Sequence, residues 1–240
     1  MNKSNLEFLY KDDFLFAIKK PSNIHSCISL KNDDDSIAKR LLEKYPKLQD
    51  VGKKEDAGLL NRLDFETSGI LYGTWNSEVY KKLKGLKNGA LKVYIAITEG
   101  KSKTTNLKTY IGGAYRGSKK VTVYELNKNP KRALLAESQI KLLSYNKEKN
   151  LSFVCIKILE GRRHQIRAHL SYLGTPILGD TLYGAKREVK EYFNFENLPK
   201  FLLHNESLSL KNPFTNRKIN IECECVWKEL SKQVFKKNNL

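Results

Sequence analysis

The chain has 240 residues, 40% of them hydrophobic and 29% charged, which is enough apolar material for a buried core and too much for wholesale disorder. Its 44 Lys and Arg against 26 Asp and Glu leave a formal charge of +18, an excess that favours a polyanionic partner because each cation meeting a phosphate releases a condensed counterion. The four cysteines form no CxxC pair and no His-rich cluster, which argues against zinc, and no apolar run is long enough for a leader at Met1–Tyr10 or for a membrane span. The expectation is a cytoplasmic protein with reduced thiols and no membrane partner.

Taken in chain order, Phe14–Ile18 is predicted as a short apolar strand running into Lys20-Pro21. Asp33–Ser36 supplies acidic and N-capping residues ahead of Ile37, Leu41, Leu42 and Tyr45, the spacing of an amphipathic helix, so the acidic run reads as helix-start chemistry and not as a metal site. Gly69–Tyr72 reads as a buried strand, and Ser77–Leu86 as a helix with Val79, Leu83 and Leu86 on one face. Val93–Thr98, Val121–Tyr124 and Leu151–Ile158 are β-branched and aromatic strand candidates. A second helix follows Gly161-Arg162-Arg163, with Ile166, Leu170 and Leu173 on its apolar face, Gly174 as its stop and Pro176 blocking continuation. In Ile219–Cys225 the apolar residues alternate with Asn220, Glu222 and Glu224, predicting a half-buried strand with Cys223 and Cys225 on its apolar face. The tail Lys228–Lys237 reads as a solvated helix face.

Strands outnumber helices and lack the regular alternation of a parallel βαβ fold, so the pattern predicts an α+β protein with a mainly antiparallel sheet. There is no repeat or low-complexity linker. Tyr115–Arg132 reads as loops or a hairpin inside one domain spanning 1–240.

Two segments depart from core-and-surface patterning. The first is Leu60-Asn61-Arg62-Leu63-Asp64-Phe65-Glu66-Thr67-Ser68-Gly69, which presents a carboxylate beside small hydrogen-bonding groups. The second is Gly161-Arg162-Arg163-His164-Gln165-Ile166-Arg167-Ala168-His169-Leu170, leading to Gly174-Thr175-Pro176-Ile177-Leu178-Gly179-Asp180 and Tyr183-Gly184; it gathers cations and polar donors at a helix start. Alone, Arg-x-Asp is equally well read as an exposed ion pair, contributing about 0–1 kcal/mol.

Both segments resemble the signature motifs of the RluA family of RNA pseudouridine synthases, HRLDxxTSG and GRTHQIRxHLxxxGxPIxGDxxYG. Asp13-Phe14-Leu15 through Lys20-Pro21, Lys92-Val93-Tyr94-Ile95-Ala96, and Leu203-His204 through Asn212-Pro213-Phe214-Thr215 resemble further family segments. The resemblance implies a mixed, mainly antiparallel sheet with flanking helices and a central RNA-binding cleft, and an isomerase that turns uridine in structured RNA (rRNA or tRNA) into pseudouridine. It implies Asp64 as the catalytic carboxylate, Tyr94 as a platform for the target base, Arg167 as the partner of that carboxylate, Leu203 in the wall of the uracil pocket, and Arg62 beside the flipped nucleotide. Arg163, His164 and Gln165 fall among the substrate-binding positions of the second motif. No metal or organic cofactor is expected, because nothing is oxidised and nothing leaves. A monomer without an obligate protein partner, and without a separate N-terminal RNA-binding domain, is expected.

The chemistry needs these residue types. A carboxylate can serve as nucleophile or take a proton from the ribose. It must stay charged where water is excluded, which a buried Arg favours. The detached base must not diffuse away, and the nucleotide must leave its stack to be reached. The sequence departs from the family pattern at Asn61 (usually His, and expected to orient the loop by hydrogen bonding), at Arg163 (usually Thr), and at Asn205 and Asn212 (usually Ala and His). His164 and His169 lie about 140° apart on a helix and are poorly placed to share an ion. A non-catalytic RNA-binding factor is the competing reading, opposed by Asp64, Tyr94 and Arg167 standing together. Paired-carboxylate hydrolysis using Glu66 or Asp180 has no motif behind it.

Overall fold

The computed structural model describes residues 6–29, 35–85, 90–115, 117–128 and 130–235. In chain order the elements are β1 (Phe8–Lys11), β2 (Leu15–Lys20), α1 (Ile37–Lys44), β3 (Ser68–Thr74), α2 (Ser77–Gly85), β4 (Ala90–Glu99) and β5 (Thr105–Gly112). They continue with β6 (Thr122–Tyr124), β7 (Ala133–Asn146), β8 (Leu151–Ile158), α3 (Gln165–Tyr172), β9 (Leu203–Lys211), β10 (Lys218–Glu222) and α4 (Val226–Val234), with short 3-10 turns between some of them. The fold is α+β, dominated by antiparallel strand pairs as expected.

The chain divides into two compact units. The first comprises Met1–Leu91 and Asn205–Glu224. Its strands run in the order β1-β2-β3-β9, with β10 antiparallel to β9. The core gathers Leu15, Ala17, Ile70 and Tyr72 from the central strands, Val79 and Leu83 from α2, and Leu208, Leu210, Ile219 and Ile221 from β9 and β10. Ser36 caps α1 by accepting from the Lys39 N–H, while Asp35 pairs with Arg40. The helix-start reading therefore holds at Ser36; Asp33 and Asp34 lie outside the described residues, as does Leu86 of the second predicted helix. Asn76 Oδ1 starts α2 by accepting from the N–H groups of Glu78 and Val79. Gly69 is required at its place: its φ is +116°, and a Cβ there would sit 2.3 Å from the Asn205 carbonyl oxygen.

The second unit comprises Lys92–His204 and Cys225–Leu240. Its strands run β4-β8-β7-β5-β6, every pair antiparallel. One core joins Ile95, Ile97, Leu151, Leu178, Phe193, Leu202 and Trp227. A smaller one joins Ile111, Val121, Ala136, Ala168 and Tyr183. Helix α3 buries Ile166 and Leu170 and ends at Gly174 as predicted, but Leu173 is 38% exposed and adds nothing to the buried face. Two expectations need correction. Strand β10 stops at Glu222, and the two buried thiols beyond it serve separate cores, Cys223 in the first unit and Cys225 in the second. The tail is not merely solvated, because α4 buries Ser231 and Val234 within it while Lys232 and Gln233 stay exposed; Lys236 and Lys237 lie outside the described residues.

Candidate active site

In the first unit the site is a loop, 60–68, whose backbone is fixed from several directions. Asn61 forks onto β3: its Nδ2 donates to the Ile70 carbonyl at 3.1 Å and its Oδ1 accepts from the Tyr72 N–H at 2.9 Å. This is the orienting role expected of Asn at that position. Asn205 Nδ2 donates to the same Ile70 carbonyl at 3.1 Å, so two of the departures from the family pattern converge on one acceptor. Buried Ser26 both accepts from the Leu63 N–H and donates to the Leu63 carbonyl. After Asp64, the Thr67 N–H closes a turn on the Asp64 carbonyl, and the Asn23 N–H reaches the Phe65 carbonyl.

The Lys20 amine donates to the carbonyls of Pro21, Ile24 and Phe65 at 2.9, 2.8 and 3.1 Å, and the residue is fully buried. Burial pushes this amine down to about 7, against the upward pull of the Asp64 and Glu66 carboxylates. Three carbonyl acceptors match the three N–H groups of the charged form. The result is an amine fixed in place underneath the loop that carries Asp64, close to balance between its charged and neutral forms at neutral pH. Asp64 itself is partly exposed and Arg62 exposed, so the anchored backbone presents both side chains outward. The hydroxyl of Thr67 is buried without a hydrogen-bond partner among the described residues.

In the second unit Arg167, on α3, forms a two-point ion pair with Asp180: Nε to Oδ2 at 2.7 Å and Nη2 to Oδ1 at 2.8 Å. Both residues are buried, and the guanidinium lies 4.4 Å from the Phe201 ring and 5.0 Å from that of Tyr183. Two-point pairing and aromatic contact fix the plane of the guanidinium, which a Lys could not reproduce. Asp180 is thereby engaged, which removes it as the second acid of a hydrolytic pair. Tyr94 lies on β4 opposite Ile156 of β8 and is buried, and buried Leu203 opens β9. Lys92, two residues before Tyr94, donates to the Leu159 carbonyl; burial pushes its amine down to about 8, with Glu160 opposing.

The remaining residues of the second motif hold the unit together. Gln165 is buried; its Nε2 donates to the Glu137 carbonyl and to Glu160, and its Oε1 accepts from the Arg162 N–H. Arg163 Nη2 donates to the carbonyls of Ser118 and Lys120 at 2.7 and 3.3 Å. His164 Nδ1 lies 2.9 Å from the Tyr183 hydroxyl, which also accepts from the Val121 N–H. His169 is buried between Thr109 and Ser138, and burial pushes its imidazole down to about 4, so it is neutral. Among the described residues no three His, Cys, Asp or Glu side chains are grouped to hold a metal ion. Sequence reasoning gave no role to Lys20, Ser26 or Tyr183, and considered Asp180 only as a second acid. The position of Lys20 before a proline and of Asp180 in the second motif were the signals present.

The first unit thus carries an anchored loop that holds a carboxylate above a buried amine, and the second an arginine locked by Asp180 against the rings of Phe201 and Tyr183. The chain belongs to the RNA pseudouridylate synthase family, whose model matches residues 15–172. It is an RNA pseudouridine synthase, an isomerase. The "Dual-specificity RNA pseudouridine synthase RluA" of Escherichia coli (strain K12) is 29% identical over 87% of this chain and 88% of its own length. The "Ribosomal large subunit pseudouridine synthase C" of Rickettsia prowazekii is 31% identical over 90% of this chain and 67% of its own. In fold, the structure titled "Human RNA Pseudouridylate Synthase Domain Containing 4" superposes with a TM-score of 0.69, at 24% identity, covering 95% of this chain and 92% of that one.

Proposed function

We propose that Asp64 is the carboxylate that starts the isomerisation, with Tyr94 as the base platform, Arg167 as the cation facing the reacting carboxylate, Leu203 as an apolar wall, and Arg62 beside the flipped nucleotide. Arg163, His164 and Gln165 complete the RNA-binding side chiefly by holding the local structure. The observation that carries the assignment is the loop itself: it is anchored before Asp64 by Asn61 and after it by Lys20, while Asp64 stays partly exposed.

In this reading the Asp64 carboxylate attacks the ribose, or removes a proton from it, and the C1′–N1 bond breaks. The uracil turns within the pocket and C1′ bonds to C5, displacing the carboxylate from C1′ or, on the other route, with the proton returned from Asp64 to the ribose; the C5 proton is released and N1 ends protonated. Rigid placement of the carboxylate serves the step because misplacement by about 1 Å can cost a hundredfold in rate. The proposed substrate is structured RNA, ribosomal or transfer, supported by the +18 charge and by the ribosomal subunit named for the Rickettsia relative. The chain acts as one catalytic domain, a cytoplasmic monomer without an obligate protein partner.

The test is a transcriptome-scale map of pseudouridine by carbodiimide-dependent reverse-transcriptase stops, in cells with and without the gene. Stops that vanish on deletion and return with wild type, but not with Asp64→Asn, support the reading. Stops restored by Asp64→Asn would overturn the role given to Asp64.

A further inference from the structure

The hairpin between β5 and β6 is closed by the pairing of Gly112 with Thr122, and its loop folds against a cavity of about 300 Å³ in the second unit. That is the small end of the range for ligand pockets, roughly 300–1,000 Å³. Tyr115, Ser118, Arg132, Leu134, Arg162 and Arg163 line it. Gly112 is needed there, because a Cβ would fall 2.6 Å from the Arg132 carbonyl oxygen. At Gly112 the wall is therefore built by close backbone approach.

Three arginines line this cavity, and among the described residues none of them is paired with a carboxylate. Two are fixed by carbonyls: Arg162 Nε donates to Leu135, and Arg163 Nη2 to Ser118 and Lys120. Those bonds orient the forks without neutralising them. Arg132 is exposed. At the loop, Tyr115 is 68% exposed, yet its backbone is held at both ends, with Ser118 Oγ accepting from the Tyr115 N–H and donating to the Tyr115 carbonyl. An exposed ring on a pinned backbone contributes little to folding. Beside uncompensated guanidiniums it has the make-up of a stacking platform with phosphate forks.

We propose that this cavity holds one unpaired nucleotide of the RNA, its base stacked on Tyr115 and its phosphate on Arg132 and Arg162. Arg163 braces the loop that presents Tyr115, which gives a physical reason for an arginine where the family usually has threonine. The proposal rests on reading structured RNA as the substrate.

The experiment uses the full chain and single variants Tyr115→Ala, Tyr115→Phe and Arg132→Glu. Anisotropy of a short fluorescein-labelled oligouridylate, and of an RNA duplex of equal length, reports binding. Tritium release from C5-labelled ribosomal and transfer RNA transcripts reports turnover. Tyr115→Ala and Arg132→Glu are each expected to weaken oligouridylate binding by about tenfold, more than duplex binding, and to raise KM more than they lower kcat. Tyr115→Phe keeps the platform and is expected to bind as wild type. Unchanged oligouridylate binding in both disruptive variants, or equal losses on duplex RNA, would overturn the site, as would a Tyr115→Phe variant as weak as Tyr115→Ala. If wild type releases no tritium from any transcript while the variants still lose oligouridylate binding, the cavity stands and the assigned substrate fails.

Discussion

The Ile70 carbonyl accepts from Asn61 and Asn205, side chains 144 positions apart in the chain that both depart from the family pattern. A carbonyl has two lone pairs, so both bonds can form at once, and removing one donor leaves the other to compensate in part. Asn61→Ala is therefore expected to cost about 1–2 kcal/mol of stability and to lower kcat, because the Asp64 loop loses its fork onto β3, while RNA affinity changes little. Combined with Asn205→Ala, the cost should differ from the sum of the single changes by at least about 0.5 kcal/mol, measured by urea unfolding in a double-mutant cycle. His169 supplies a second residue-scale prediction. Its imidazole titrates at about 6.5 in the unfolded chain and about 4 in the folded one, so between these values the unfolded state binds more protons. Stability is then full above about pH 6.5 and falls on acidification towards 4, by up to about 3 kcal/mol from this group. Melting curves of His169→Gln should show a shallower decline over that window than wild type; identical slopes would remove His169 as a cause.

At the scale of elements, β3 and β9 are locked by the contact of Gly69 with the Asn205 backbone. Gly69→Ala adds a Cβ both to a left-handed φ and to a space already occupied, so it should destabilise the fold by roughly 3 kcal/mol and lower the melting temperature accordingly. Legibility from sequence varied for reasons visible in the same elements. Strands β2, β3, β4 and β8 were readable because their burial makes them continuous apolar runs. Strand β7 was not, since its inward positions are Ala136, Ser138 and Ile140 while Leu134, Leu135 and Leu143 face outward, inverting the signal that marks a strand. Strand β9 carries Asn205, Glu206 and Ser207 in its middle and gives no clean alternation. The candidate site residues could be picked out as motif positions, but the supports of the Asp64 loop could not: Lys20 meets the Phe65 carbonyl and Ser26 meets Leu63 across long stretches of chain, and no local pattern announces such pairs.

For the whole molecule, the +18 charge predicts a binding isotherm governed by salt. A protein neutralising a handful of phosphates loses roughly tenfold in affinity for each doubling of salt, so RNA affinity of the wild type should fall steeply between dilute and physiological buffer. A flat response would mean that the excess lysines lie away from the RNA. Asp64→Asn should follow the same salt line within about tenfold, since backbone contacts and not the reacting group set affinity.

Neither compact unit is contiguous in the chain, and this bears on biosynthesis. The first unit holds β1 to β3 near the start, but β9, the neighbour of β3, is made more than a hundred residues later. At about 5–20 residues per second, the growing chain carries β3 with an unpaired edge for roughly ten seconds while the second unit is synthesised. A nascent chain truncated before Asn205 would keep that edge permanently and should aggregate, whereas one that includes β9 and β10 can close it. The last strands made are thus the ones that complete the first unit begun, and the interval before they arrive is when this protein most needs a chaperone.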